Sequence, residues 1–214
     1  FTKKLVELTR QLKQDNPVQP GVDVGAMINE YQLNKVLKMI EIAKDEGATI
    51  LCGGQRNSHL KGYFLEPTIL DNCHNNMKCV QEEIFGPVLA IIPLKSIDDV
   101  IKMVNANQFG LTCSIWTRDL DKAKQIASEI DAGTIMINEC VYTFGLAATP
   151  WGGLKSSGMG RTHGKFGFLE VMIPIHINID ASMNPDIWWM PYNKEFSNYI
   201  ENFKLLTRSM IVDK

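Results

Sequence analysis

Leu5, Leu8 and Leu12 recur at helical spacing between Lys3 and Lys13, which predicts an amphipathic helix leading into the turn-rich stretch from Asn16-Pro17 to Pro20-Gly21. A clearer helix follows from about Glu30 to Glu46, with Leu33, Leu37, Ile40 and Ala43 on one face and Gly47 where a C-terminal cap belongs. Ala48 to Cys52 is a short apolar run closed by Gly53-Gly54, and reads as a strand. Val88 to Leu94 is a continuous apolar run, too short for a helix and rich in Ile and Val. Ser96 and Asp99 then resemble a capping box for a helix that buries Ile97, Val100, Ile101 and Val104. Thr112 to Trp116 gives another strand. A helix from about Asp119 turns Leu120, Ala123, Ile126, Ala127 and Ile130 inward, and Thr134 to Asn138 follows as a strand. This β-α-β-α-β order predicts an α/β fold with a parallel sheet and right-handed crossovers, helices making a three-layer arrangement. Ligands on such sheets sit beyond the carboxyl ends of the strands, which draws attention to Asn138 and the residues after it.

The pattern then changes. Glycines crowd the stretch from Pro150 to Gly167, which predicts an irregular loop. Val171, Ile173, Ile175, Ile177 and Ile179 next alternate with Met172, Pro174, His176 and Asn178, a period of two that predicts a strand with one apolar face. Pro174 has no N–H for a ladder, so this strand belongs at an edge, and the edge of another subunit's sheet is its natural partner. From Ser182 the chain reads as an extended aromatic segment (Asn184-Pro185, then Trp188-Trp189-Met190-Pro191-Tyr192). A helix from Lys194 to Met210 follows, with Phe196, Ile200, Phe203, Leu206 and Met210 on one face. Three regions result: a body over 1–168, an oligomerisation strand over 169–180, and an aromatic tail with a C-terminal helix over 181–214. The tail is expected to dock on the protein body rather than on a membrane.

Charge narrows the function. The chain has 22 Lys and Arg against 24 Asp and Glu, a net charge of −2, so nothing favours a nucleic-acid partner or a polybasic membrane contact. The five cysteines, Cys52, Cys73, Cys79, Cys113 and Cys140, form no C-x-x-C pair and share no zinc-type spacing with the four histidines. No metal site is expected, and reduced, cytoplasmic surroundings fit better than a disulfide framework. No apolar run is long enough to span a membrane, and no signal peptide is evident. The chain begins with Phe1 rather than Met, as a piece of a longer protein would.

Few residues offer chemistry by themselves. Glu82 and Glu83 stand before Ile84-Phe85-Gly86-Pro87, a tight turn that leads into an apolar strand. Adjacent carboxylates in a turn are usually a solvated surface feature, but one held there could accept two hydrogen bonds from a ribose diol. Gly158-Met159-Gly160 and Gly164 lack the G-x-G-x-x-G spacing of a dinucleotide cradle, and no P-loop, H-E-x-x-H or G-x-S-x-G occurs. His163 in the glycine-rich loop reads as a turn residue rather than a general base.

Gln81-Glu82-Glu83-Ile84-Phe85-Gly86-Pro87-Val88 resembles the E-E-I-F-G-P-V signature of the aldehyde dehydrogenase superfamily. Further motifs follow in that family's order: Asn105-Ala106-Asn107, Phe109-Gly110-Leu111, Ala132-Gly133-Thr134, Pro150-Trp151-Gly152-Gly153-Leu154-Lys155 and Gly160-Arg161. Upstream, Asp23-Val24-Gly25 and the run from Gly53-Gly54 to Pro67-Thr68 also resemble it, so the likeness extends from about Phe1 to Ile179.

The resemblance implies the C-terminal part of an enzyme that oxidises aldehydes to carboxylic acids with NAD or NADP through a cysteine thioester, on a Rossmann-like catalytic domain. It implies that Glu83 accepts hydrogen bonds from the nicotinamide ribose and that Phe85 packs beside the nicotinamide. Gln32 and Lys35 would reach the adenosine side. Asn138, Tyr142, Phe144 and Trp151 would line the aldehyde tunnel, and the strand from Glu170 to Ile179 would join subunits into a homo-oligomer. The nucleophile and general base fall before Phe1 in the family's order, so no residue here is expected to be catalytic and the chain alone is expected to be inactive. Cys140, in the substrate loop, stands outside the nucleophile's motif. Thr162 follows Arg161 where many members have a carboxylate. The alternative is a truncated, non-catalytic oligomerisation or interaction module.

Overall fold

The computed structural model describes residues 1–181 and 189–212, with side chains through residue 203. Asn184, Pro185 and Trp188, and the helical side chains of Leu206 and Met210, lie outside the described residues. The chain divides into two units, Phe1–Met172 and Ile173–Lys214.

The first unit opens with α1 (Thr2–Gln11), whose leucines stay partly exposed because no sheet covers them fully. Helix α2 (Glu30–Asp45) is the framework of the core. Asn29 caps it by accepting from the Gln32 amide at 2.8 Å. Its other end closes as a Schellman motif, with Gly47 donating to Lys44 and Ala48 to the Ala43 carbonyl while Gly47 takes φ +106°. Leu33, Val36, Met39, Ile40 and Ala43 are buried. They pack with Leu65, Leu70, Cys73, Met77 and Cys79. Leu37, assigned to the same face by the sequence pattern, is only partly buried against the cluster.

Three strands lie under this helix. β1 (Thr49–Cys52) is antiparallel to β2 (Thr68–Asp71), with an irregularity between Ile50 and Cys52. Short helix α3 (Lys78–Gln81) leads through the acidic turn to β3 (Val88–Ala90), which runs parallel to β2. The expected strand from Val88 to Leu94 is therefore shorter. Ile91 still donates to Leu70 at 2.8 Å, and Pro93, with no N–H, stands where pairing ends.

Helix α4 (Ile97–Ala106) is capped by Ser96, which accepts from the Asp99 amide at 3.2 Å. The Asp99 carboxylate in turn accepts from the Ser96 hydroxyl, instead of from its backbone as in a full capping box. Short β4 (Phe109–Gly110) precedes β5 (Thr112–Ile115), α5 (Leu120–Glu129) and β6 (Thr134–Ile137). β5 and β6 pair in parallel from Thr112↔Thr134 to Ile115↔Ile137. The crossover expected between them is present, with Ala123 and Ile130 buried.

The first of the three expected parallel strands behaves differently. β3 pairs with β2, and among the described residues no ladder joins β3 to β5. The stripe of α4 is accordingly half-buried rather than buried, because a crossover helix needs continuous sheet beneath it.

The glycine-rich region is less irregular than its composition implies. β7 (Leu154–Lys155) pairs antiparallel with β4, and Trp151 bridges Thr162. α6 (Gly164–Glu170) then takes up residues expected to begin the alternating strand. Beyond it, residues 172–181 form no ladder among the described residues, although Ile173, Ile175, Ile177 and Ile179 are all strongly exposed. A strand needs a second backbone for its hydrogen bonds, and among the described residues none is paired with this stretch. In the second unit, α7 (Lys194–Val212) is entered through Asn193, whose side chain accepts from the Phe196 amide at 3.1 Å. Tyr192 stacks on Phe196 with ring centroids 4.5 Å apart. Among the described residues no helix is long and apolar enough to cross a membrane.

Gly133 is the tightest backbone crossing. A Cβ there would lie 1.8 Å from the Gly152 carbonyl oxygen, whereas a Cβ on Gly145 would meet nothing within 4 Å. Gly133→Ala is expected to lower unfolding stability by about 3 kcal/mol or more, and Gly145→Ala by under about 0.5 kcal/mol, in urea titrations. Equal effects of the two would show that the crossing is not a constraint.

Candidate functional site

The acidic turn is built from below. Gln32, in the first turn of α2, donates its side-chain amide to the carbonyls of Ile84 at 3.2 Å and Phe85 at 3.0 Å. Phe85 takes φ +55°, a left-handed conformation that a bulky residue adopts only when its surroundings impose it. Its ring is 70% exposed, and the next residue, Gly86, sits so close to Val36 that a Cβ would lie 3.0 Å from a valine methyl carbon. Gln32 thus holds up the turn rather than extending from it, a use the sequence alone did not reveal. Lys35 is exposed on the same helix.

The two carboxylates of the turn are inequivalent. Glu82 pairs with Lys78 at 3.6 Å, one helical turn back. Glu83 is exposed and makes no ion pair among the described residues. Both line a groove of about 620 Å³ whose other walls include Asn107, Phe109, Ser156 and Ser157. Asn107 donates to Val80 at 3.1 Å and Gln108 to Gln81 at 3.2 Å, tying this opposite wall to α3. The groove, and the asparagine and glutamine that fix its width, went unrecognised in the sequence. Asn-x-Asn ahead of a Phe-Gly step was the signal available.

The substrate candidates separate into two groups. Asn138 takes φ +57° and closes a two-way clamp with Thr117, donating to its carbonyl and accepting from its amide, both at 2.8 Å. Its amide is therefore spent on joining the ends of β5 and β6. Tyr142 and Phe144 lie on a 3₁₀ turn (Tyr142–Gly145), with both rings largely exposed. Phe144 meets Trp151 edge-on at 5.2 Å and His163 at 6.0 Å, so two candidates converge with the histidine of the glycine-rich region. His163 does lie in a tight turn, at φ +66°.

The loop behind this cluster is pinned by polar contacts. Lys155 donates to the carbonyls of Asn105 at 2.8 Å and Asn107 at 3.2 Å. Arg161 donates to the carbonyls of Gly153 and Gly160.

All five cysteines are free thiols, and among the described residues no group of three or more His, Cys, Asp or Glu is placed to hold a metal ion. Burial raises Cys73 and Cys113 above the ordinary thiol value. Cys79 is pushed up to about 12, by burial first and then by the charge and hydrogen bond of Cys73 and the charge of Glu46. Such thiols are inert packing groups, not nucleophiles. Cys140 is exposed.

A family model described as "Aldehyde dehydrogenase family" matches residues 1–176. The chain is 43% identical over 170 residues to aldehyde dehydrogenase 1A1 of Homo sapiens, covering 79% of this chain and 33% of that protein. It is 36% identical over 190 residues to the chloroplastic betaine aldehyde dehydrogenase of Beta vulgaris, covering 88% of this chain and 38% of that one. Among solved structures, betaine aldehyde dehydrogenase of Staphylococcus aureus in complex with NAD+ superposes with a TM-score of 0.82 at 34% identity, over 88% of this chain and 38% of that one. The NAD+ complex of aldehyde dehydrogenase from Bacillus cereus gives 0.73 at 36% identity, over 78% and 33%. The chain thus spans roughly a third of the length of the relatives it matches.

The raised thiols give a signed prediction. Folding holds the Cys79 proton more tightly than the unfolded chain does, so this contribution is complete below 9.0 and is lost as pH rises towards about 12. Urea stability should fall across that window more steeply in the native protein than in Cys79→Ala. Parallel slopes would remove Cys79 from the account. In the folded chain at neutral pH, thiol reagents should label Cys140 first and leave Cys73 and Cys79 untouched until unfolding.

Proposed function

Because the chain belongs to the aldehyde dehydrogenase family, we propose that it is the C-terminal portion of the catalytic domain of an enzyme oxidising aldehydes to carboxylic acids with NAD or NADP. The observation that carries this reading is Glu83. Its carboxylate is exposed in the 620 Å³ groove, has no ion-pair partner among the described residues, and stands on a turn braced by Gln32. An unpaired carboxylate on a rigid turn suits a ribose diol, because each oxygen can accept one hydroxyl hydrogen bond. The exposed Phe85 ring, two residues on, suits the flat face of the nicotinamide. When bound, the dinucleotide supplies the hydride acceptor; the chain's task is to hold it at the correct angle.

The roles divide accordingly. Glu83 orients the ribose and Phe85 packs beside the ring. Gln32 acts from beneath, and Lys35 on the exposed side of α2 is the one available for the adenosine end. Phe144 and Trp151 wall the passage to the aldehyde carbon, with Tyr142 on the same turn, and Asn138 fixes where that turn starts. The thiolate that attacks the aldehyde and the base that activates water belong to parts of the enzyme outside this chain. We read the stretch from Glu170 to Ile179 as the subunit-joining segment: beyond helix α6 its exposed row of Ile173, Ile175, Ile177 and Ile179 supports strand addition to a second subunit's sheet. Five free thiols support a reducing, cytoplasmic setting.

In the complete enzyme, Glu83→Gln should slow single-turnover hydride transfer about tenfold while weakening cofactor binding less, because an orienting contact acts mainly on reactive geometry. Unchanged hydride transfer would remove Glu83 from the site. The 214-residue chain alone is expected to form no NADH from any aldehyde; sustained turnover would overturn the division of labour. Ile175→Lys should lower the assembled mass in sedimentation, and an unaltered mass would exclude the alternating row from the subunit interface.

A further inference from the structure

His163 brings to the aromatic cluster a sealed polar atom that is left unused. Its Nδ1 is buried without a hydrogen-bond partner, and its ring lies 6.0 Å from that of Phe144 at a tilt of 56°. Phe144 in turn meets Trp151 edge-on. The backbone leaves His163 little freedom to turn away: φ is +66°, its carbonyl accepts from Gly167 at 2.9 Å, and the next residue, Gly164, donates to Ala147 at 2.8 Å. On the other side, Thr162 is bridged to Trp151 through both backbone groups. The imidazole is therefore held beside the Phe144 ring by main-chain contacts around it, with no side-chain hydrogen bond of its own among the described residues.

The accounting of its two nitrogens has a direction. Placed on Nδ1, the proton would be sealed away with no acceptor, an orphan buried donor of the kind that folded proteins rarely keep. In the neutral ring the proton accordingly belongs on Nε2. That nitrogen is not among the sealed polar atoms and has no partner among the described residues. The cluster of Phe144, Trp151 and His163 thus offers a donor at His163 Nε2 as well as the Trp151 indole N–H.

We infer that His163 sets substrate preference, donating from Nε2 to an acceptor oxygen at the end of the aldehyde remote from its carbonyl. The inference rests on the reading that Phe144 and Trp151 wall the aldehyde passage. The substrate class it selects is the aldehyde with a distal hydroxyl or similar acceptor oxygen, over a plain alkyl aldehyde of equal length. His163 positions the substrate and takes no part in bond making.

Two measurements test it. In the enzyme containing this chain, kcat/KM is compared for hexanal and its ω-hydroxy counterpart. The hydroxy aldehyde should be favoured by about three- to tenfold, the range of one uncharged hydrogen bond. His163→Leu should collapse that ratio, mainly through the KM of the hydroxy aldehyde, and His163→Gln, which keeps a donor, should restore part of it. A ratio unchanged in His163→Leu overturns the inference while leaving the aldehyde oxidation intact. Independently, the native chain with nitrogen-labelled histidine is titrated with both aldehydes. A shift of the His163 Nε2 resonance with the hydroxy aldehyde alone is the expected result, even if the enzyme oxidises neither and the proposed activity falls. No shift, or an equal shift with hexanal, overturns the inference.

Discussion

The contact between Val36 and Gly86 is the constraint on which the candidate cofactor face depends. Val36 is completely buried, and a Cβ at Gly86 would crowd its two methyl carbons at 3.0 and 3.2 Å. That approach brings the backbone after the acidic turn directly onto α2. One helical turn earlier, Gln32 is then within hydrogen-bonding reach of the Ile84 and Phe85 carbonyls. Core packing and site geometry are one arrangement here: the helix face that excludes water also fixes the turn that presents Glu83. A longer side chain at Gly86 would act on the site through this packing, although it touches neither carboxylate.

The far wall of the groove follows the same logic with polar groups. Asn107 and Gln108 reach back to the end of α3, and Ser157 accepts the Gly110 amide at 3.0 Å. Lys155 adds two contacts to carbonyls near the C-terminal end of α4. Loop backbone that would otherwise be left to water is held by side chains from two segments distant in sequence. Glycines matter at two points. Gly133 lets the start of β6 pass the Gly152 carbonyl, and Gly110 lets β4 pass the Asp131 carbonyl, which a Cβ would approach to 2.5 Å.

Local signals were legible in the sequence and long-range pairings less so. Helix α2 was readable because its apolar period and Gly47 agree, and the structure uses both, adding the Asn29 cap. The parallel β5–β6 pair was readable for the same reason, since strand, capped helix and strand follow without interruption. The partner of β3 was not, because an apolar run states that a strand is buried and not what it pairs with. The alternating run from Val171 to Ile179 has the period of a strand, but a period cannot provide the second backbone. In the site, Glu83 and Phe85 were recognisable from a contiguous motif. The support roles of Gln32 and Asn138 were not, because each depends on a carbonyl or amide that folding brings from at least twenty residues away.

The half-buried stripe of α4 says most about the architecture as a whole. Its capping is sound and its apolar period is regular, yet it has no fully buried residue. A helix of that kind finishes its burial only when the sheet under it is continuous. Among the described residues, β3 is paired only on its β2 side and β5 only on its β6 side, so both present open edges. Beside β3, a groove of about 290 Å³ lined by Leu5, Leu12, Val24 and Leu89 adds unfilled apolar surface next to one of those edges. Open edges on a capped, well-patterned α/β body are a liability that proteins ordinarily cover. The same features accompany a chain that covers only 33% to 38% of the length of the relatives it matches: the groove with Glu83 is walled on both sides, while the sheet behind it still has places for backbone.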